Sequence, residues 1–359
     1  KLNGNKLYVV LRDNMVEMQN YRLLYTITEN GKVIKKGEIK ELTVPSVKYN
    51  ADADVRLNIS VQLKSDTKWA KAGFEVRHEQ FAINDKLSSA FKPATLKTGR
   101  QADVKAAEEW FNAVKPHFYR APMDNDKGFG NWIAKDWKNN RLDNPEVVTV
   151  KPLSSKHNAD GTVTVAVTQE CRYVNGKITA DYLYTMDAYG SVDFKAVYTP
   201  EGQLPPLPCV GNTFVLDKDM TQLSWYGRGL QDSYVDRLEA TSIGRWTSSV
   251  PQEYVHYPRP QSSGNHEQTV TLSLTTAKGK GYTVTTADGK PFSFSALPYS
   301  EAQLSTVAHD CDLQAEDNVY LNIDARMMGL GNSSCGPGVL TKYSVPQEPH
   351  TLHLMFTRK

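Results

Sequence analysis

The chain has 359 residues, with 42 basic and 40 acidic side chains, a net charge of +2, 40% hydrophobic and 23% charged residues. At roughly 100–200 residues per domain, that length implies two or three domains, each large enough to bury a core. Charges of both signs are spread throughout, with no basic tract or acidic tail to engage nucleic acid or an anionic membrane, and no apolar run approaches the ~20 residues of a spanning helix.

The opening run Leu7-Tyr8-Val9-Val10-Leu11 reads as mid-strand, as in a piece of a longer polypeptide, and no signal-peptide pattern precedes it. Period-two alternation then dominates. Tyr21, Leu23, Tyr25 and Ile27 share one strand face, with a hairpin signal at Asn30-Gly31, where both residues tolerate positive φ. Leu57, Ile59, Val61 and Leu63 repeat the pattern. A Lys/Ser/Pro-rich stretch, 86–100, reads as a connector. One clear helix follows within 103–115, where Ala107, Trp110, Phe111 and Val114 fall at helical spacing; a weaker one covers 133–138. Alternation resumes with Val163, Val165 and Val167, then Ile178, Ala180, Tyr182 and Tyr184, then Val192, Phe194, Ala196 and Tyr198, then Val270, Leu272 and Leu274. Strands wet on one face are antiparallel in habit, and the alternating long helices of a βα barrel are missing. The expected fold is all-β: a first domain over 1–85, a connector with a short helix over 86–117, and a large antiparallel sandwich over 118–359. Trp69 and Trp225 read as core, Trp110 as helix core, and Trp132 or Trp137 as the exposed aromatics.

Four segments carry a family resemblance. Trp69-Ala70-Lys71-Ala72-Gly73-Phe74-Glu75 resembles a W-A-x-A-G-x-E closing strand, and Phe118-Tyr119-Arg120-Ala121-Pro122-Met123-Asp124-Asn125-Asp126-Lys127-Gly128 resembles F-W-R-A-P-x-D-N-D-x-G. Gly227-Arg228-Gly229-Leu230-Gln231-Asp232-Ser233-Tyr234-Val235-Asp236-Arg237 is similar to G-x-G-x-x-E-x-Y-x-D-R, with Asp232 in the Glu place. Leu321-Asn322-Ile323-Asp324 followed by Met328-Gly329-Leu330-Gly331 resembles L-N-I-D-x-x-x-M-G-x-G-G, and Pro260–Asn265 a P-Q-x-x-G-N element. Their order along nearly the whole chain resembles the C-terminal part of family 2 glycoside hydrolases of the β-galactosidase type. That resemblance implies an immunoglobulin-like β-sandwich followed by a galactose-mutarotase-like supersandwich. It also implies partners in the same polypeptide: an N-terminal jelly roll, another immunoglobulin-like domain and the catalytic βα barrel. Two departures stand out. The strands that open the last sandwich in the family are replaced by connector and helix, and Cys335 falls where some members place a sugar-lining Trp.

Retaining glycosidases need two carboxyl groups about 5–5.5 Å apart, and in this family both lie on the barrel. Glu108-Glu109 is the only adjacent Glu pair, and its members diverge on a helix by about 100°. No catalytic residue, cofactor or metal is expected. Asp124-Asn125-Asp126 fails the calcium-loop pattern, since Gly128, Phe129 and Lys135 stand where Asp or Asn, Gly and Glu are needed. Arg120, Asp124, Asn125 and Asp126 are instead expected to build a turn, and Tyr234, Asp236 and Arg237 a buried hydrogen-bonded corner. Gly227-Arg228-Gly229 lacks the third glycine of a dinucleotide loop. His350 and His353 lie on opposite strand faces.

Lys127, Gly128, Phe129, Gly130 and Asn131, with Ser334 and Cys335 within 332–338, are expected at one edge of the sandwich as a weakly contacting rim for a galactoside. Cys171, Cys209, Cys311 and Cys335 form no CxxC and are expected as free or buried thiols. They leave the compartment undecided, with a lean to the periplasm or the exterior. The expected role is scaffold, rim and subunit contacts, including those of a homo-oligomer, without hydrolysis by this part alone. The alternatives are a free-standing carbohydrate-binding module and a mutarotase-type epimerase, the latter requiring a positioned His–Glu pair.

Overall fold

In the computed structural model of the chain, residues 1–10, 17–128 and 133–359 are described. They form two compact units, Lys1–Ala90 with Ile243–Arg245, and Phe91–Ser242 with Trp246–Lys359. No helix among the described residues is long and apolar enough to cross a membrane.

The first unit is built on four antiparallel strands, β1 (Tyr21–Glu29), β2 (Lys32–Glu38), β3 (Val55–Leu63) and β4 (Glu75–Asn84), ordered β2-β1-β3-β4. Asn30 (φ 47°) and Gly31 (φ 80°) make the β1–β2 turn, as their tolerance of left-handed backbone allows. The inward residues Leu23, Tyr25, Ile27, Leu57 and Ile59 meet Leu7, Ile39, Val44 and Ala53 from a second layer. That layer comprises the short hairpin Leu2–Asn3/Lys6–Leu7, joined to the chain at Thr43 by a bridge from Lys6. Trp69 departs from expectation. It lies in the β3–β4 loop, 64% exposed, edge-on to an exposed Phe74 at 5.5 Å.

The second unit opens with helix α1 (Val104–Trp110), capped by the Asp103 carboxylate on the Lys105 and Ala106 amides. A 3-10 turn at Phe111–Ala113 ends it and leads directly into β5 (Val114–His117). Two short helices follow, α2 (Asp124–Lys127) and α3 (Ile133–Asn139). Next come β6 (Glu146–His157), β7 (Val163–Arg172), β8 (Gly176–Met186), β9 (Val192–Gly202), β10 (Cys209–Asp217), β11 (Gln222–Gly229) and β12 (Ser242–Ser249). After these run β13 (His266–Thr269), β14 (Thr271–Thr275), β15 (Gly281–Thr286), β16 (Phe292–Leu297), helix α4 (Glu301–Thr306), β17 (Asn318–Met327) and β18 (His350–Arg358).

These strands make two sheets, one of nine ordered β12-β11-β14-β15-β18-β9-β8-β7-β6 and one of five ordered β13-β16-β17-β10-β5. The alternating residues of β7, β8, β9 and β14 all turn into one core, with Phe214, Phe294, Ile323 and Phe356. The all-β expectation is met. Within 86–117, Ala102, Ala107, Phe111 and Val114 lie in this same core, so the helical part of the expected connector belongs to the sandwich. Helix α1 packs on β6 and β7, and Trp110 touches Tyr184, Phe194, Phe214 and Phe356 from both sheets. Trp137 is fully buried, its indole N–H donating to the Pro206 carbonyl at 2.8 Å, against the expectation of exposure. Trp132 lies outside the described residues.

Candidate functional site: a cleft where the motif segments meet

The Phe118–Gly128 segment leaves edge strand β5 and is anchored by two buried side chains. Arg120, fully buried, donates Nε to Asp126 Oδ2 at 3.2 Å and Nη2 to Asp126 Oδ1 at 2.8 Å. Its Nη1 reaches the Met328 carbonyl at 3.1 Å. Burial works against the guanidinium charge, but the Asp126 carboxylate outweighs it and raises the Arg120 pKa further. Asp126 also accepts the Met123 amide at 3.0 Å, capping α2. One carboxylate thus ties the turn, the arginine and the β17 end together. Asp124 exchanges hydrogen bonds with Gln261, from the Pro260–Asn265 element, at 2.9 and 3.3 Å.

Asn125 faces the segment after β17. Its Nδ2 donates to the Gly331 carbonyl at 2.7 Å, its Oδ1 accepts Ser334 Oγ at 2.5 Å, and its carbonyl accepts the Ser333 hydroxyl. Gly128 lies against Ser333 so closely that a Cβ there would fall 2.3 Å from the Ser333 carbonyl oxygen. Asp236 Oδ2 accepts the Gly331 amide at 2.7 Å, and a Cβ on Gly329 would meet the Asp236 carboxyl carbon at 2.7 Å. Three sequence motifs, separated by about a hundred residues each, therefore meet at one place. They enclose a cleft of about 360 Å³, lined by Asn125, Asp236, Arg237, Leu330, Gly331, Asn332, Pro337, Gly338, Leu340 and Tyr343.

The expected rim residues divide around it. Gly128 and Ser334 sit on the Asn125 side; Cys335 is exposed beside them, its amide bound to the Asn332 carbonyl at 3.0 Å. Lys127 lines a different cleft, with Tyr119, Pro122, Ala134 and Lys138, where burial lowers its pKa. Phe129, Gly130 and Asn131 lie outside the described residues. Tyr234, Asp236 and Arg237 do not share one buried corner. Tyr234 is buried with its hydroxyl unpartnered, whereas Arg237 is exposed, bonded to Asp232 at 2.8 Å and lying over the Tyr234 ring at 5.5 Å. Asn332 falls in the expected 332–338 loop, whereas Leu340 and Tyr343 escape sequence reading altogether. Neither shows a periodicity, Tyr343 closing a short 3-10 turn (Thr341–Tyr343), and the bond from the Gly329 amide to the Tyr343 carbonyl (2.9 Å) helps fold this stretch back.

Asp236 is the one carboxylate among these lining residues, and its Oδ2 is already engaged. Glu108 accepts Ser155 Oγ at 2.5 Å and Glu109 lies 3.7 Å from Lys105, so the adjacent pair forms no acid/base site. A His–Glu pair does exist: His266 Nε2 is 2.5 Å from Glu253 Oε2. Both side chains are buried, with the imidazole against the Trp225 and Phe294 rings, and only Glu253 reaches the lining of a neighbouring cleft.

Beneath the cleft, the five-stranded sheet carries a second polar group. His117 on β5, Gly211 on β10 and Asp324 on β17 are aligned across three strands. His117 Nδ1 lies 2.8 Å from Asp324 Oδ1, and its Nε2 lies 3.8 Å from Cys209 Sγ. Gly211 makes the contact possible, since a Cβ there would stand 2.5 Å from Asp324 Oδ1. Burial opposes a charged imidazole, but Asp324 overcomes it and holds the His117 pKa well above its usual range.

A family model described as "Beta galactosidase small chain" matches residues 89–357, and one described as "Beta-galactosidase, domain 4" matches residues 12–84. Among curated relatives, the β-galactosidase of Priestia megaterium is 26% identical over 87% of this chain and 33% of its own length. That of Photobacterium profundum is 27% identical over 94% and 36%, and that of Streptococcus thermophilus 26% identical over 91% and 34%. This chain therefore spans about a third of the length of the relatives it matches. A solved GalM/aldose epimerase homologue from C. elegans covers 85% of this chain and 95% of its own at 13% identity, with a TM-score of 0.29, a likeness too distant to bear on function. With the small-chain match running through the whole of the second unit's two-sheet core, this chain belongs to the β-galactosidase small-chain family.

Proposed function

We propose that this chain serves as the C-terminal region of a longer β-galactosidase, as scaffold and as part of the rim of a galactoside site whose catalytic carboxylates lie on another domain. The carrying observation is the cleft itself. Three family motifs close it, yet it offers a single carboxylate, while retaining hydrolysis needs two at about 5–5.5 Å. Asn125 lines it, with Gly128 and Ser334 behind that wall, and backbone groups with small side chains make the contacts to sugar. The absence of a stacking aromatic at Cys335 keeps those contacts weak. No metal or cofactor of this region takes part in the hydrolysis.

The test pairs two proteins, this chain alone and a polypeptide joining it to a barrel-bearing portion of the family. On an aryl β-galactoside, the chain alone is expected to give no turnover above a blank. In the joined protein, Asn125→Ala is expected to raise KM several-fold more than it lowers kcat, because it loosens both loops of the rim. Turnover that co-purifies with the folded chain alone would overturn the reading. So would an Asn125→Ala variant with unaltered kinetics.

A further inference from the structure

The His117–Cys209–Asp324 group has no part in that cleft. Its three donor atoms, an imidazole nitrogen, a thiol sulfur and a carboxylate oxygen, all lie within 4.8 Å of one another and come from three adjacent strands. All three side chains are buried. Asp324 spends Oδ1 on His117 Nδ1, which turns the ring so that Nε2 faces Cys209 Sγ. A carboxylate behind a ligating imidazole is the usual outer-shell device that fixes the tautomer and ring angle. The other oxygen, Oδ2, is buried without a hydrogen-bond partner among the described residues. An unsatisfied buried acceptor costs about 1–3 kcal/mol, so this oxygen stands ready to accept a further partner. Cys209 packs in one apolar cluster with Met123 and Met327, so the surroundings are rich in sulfur.

We propose that Cys209 and His117 bind one soft cation of the copper(I) type, with Asp324 orienting the imidazole. Thiolate and thioether surroundings favour such an ion over harder ones. The 3.8 Å between Cys209 Sγ and His117 Nε2 suits a shared ion. With bonds of about 2.3 Å to sulfur and about 2.0 Å to nitrogen, that separation corresponds to an S–ion–N angle of roughly 120°. Two donors at that angle leave one further position, toward the free Asp324 oxygen, the Met327 sulfur being already engaged by Arg120 Nη1 at 3.6 Å. A cleft of about 330 Å³ reaches His117, lined also by Tyr119, Cys171, Glu301 and Asn322, and gives the ion a way in. Binding replaces the thiol proton by the metal. One S–H and one Nε2–H bond break, one S–metal and one N–metal bond form, two protons leave to solvent while His117 keeps Nδ1–H toward Asp324, and no electrons are exchanged.

The test uses the chain with its exposed thiols removed (Cys311→Ser and Cys335→Ser), kept reduced and anaerobic, and titrated with copper(I) supplied as its bicinchoninate complex. The expected result is uptake of one ion per chain. Cys209→Ser should weaken binding at least a hundredfold, and Asp324→Asn ten- to a hundredfold through loss of ring orientation. X-ray absorption at the copper edge of the unsubstituted chain serves as a second readout that does not depend on a variant folding. It should show one or more sulfur neighbours together with an imidazole nitrogen at bonding distance. Uptake no greater than that of Cys209→Ser would overturn the proposal, as would a copper spectrum lacking imidazole.

Discussion

At the scale of single residues, buried charge decides what can be changed. Arg120 and Asp126 compensate each other in a site closed to water. Arg120→Met leaves Asp126 uncompensated, and it should cost about 3–5 kcal/mol of stability, read from denaturant midpoints. Glu267 is the opposite case. Burial pushes its carboxyl up to about 8, only partly countered by Asn265 and Arg326. The folded protein therefore binds this proton more tightly than the unfolded chain, whose carboxyl titrates near 4.5. Its effect on stability is benign below that pH and becomes a loss as pH rises from about 4.5 to about 8. Glu267→Gln should remove that loss, so the Tm difference between variant and wild type should grow in the variant's favour between pH 5 and pH 8. A constant difference would show that Glu267 does not titrate in this range. Gly128→Ala is the local probe of the cleft. The added carbon would meet backbone at Ser333, so the two loops must part, and hydrogen exchange at Ser334 should quicken.

At the scale of elements, helix α1 opens the second unit and packs on β6 and β7. It is short, and Phe111 ends it in a 3-10 turn so that Val114 can enter β5 as an edge strand. Trp110 is only partly buried, yet it bridges aromatic rings of both sheets. The Tyr184 hydroxyl donates to the Ala107 carbonyl at 2.8 Å and locks the helix to β8. Trp110→Ala should therefore cost about 3–5 kcal/mol, like a large core truncation, whereas Glu109→Ala, on the exposed face, should stay within about 0.5 kcal/mol. Equal effects from the two would mean that the helix is ornamental.

At the scale of the whole molecule, the chain holds two separate cores with exposed, largely irregular backbone at Lys86 and Lys92. Farther along, the Lys97 amide is already bound to Asp187 Oδ2 at 3.0 Å and its ammonium lies over the Tyr189 ring at 4.5 Å. Limited trypsin digestion should cut first at Lys86 and leave a stable C-terminal product, because exposed irregular backbone is where nicking concentrates and the Lys92-Pro93 bond resists trypsin. Mass spectrometry of the product settles the position, and a first cut beyond Arg100 would contradict it.

The alternation of apolar residues determined by itself that the chain is a stack of antiparallel strands, because a period of two puts one face of each strand into a core whatever its neighbours are. The Tyr182, Tyr184, Phe194 and Tyr198 faces were legible for that reason. So were the motif segments, whose residue types survive in linear order. Trp69 and Trp137 run against the expectation from their sequence because hydrophobicity states a preference for burial, while the loop or helix that carries a residue decides whether it is buried. The meeting of Asn125 with Ser333, of Asp236 with Gly331, and of His117 with Asp324 belongs to tertiary structure alone. Each joins residues far apart in sequence through strand register and loop closure, and no local period encodes which strands become neighbours.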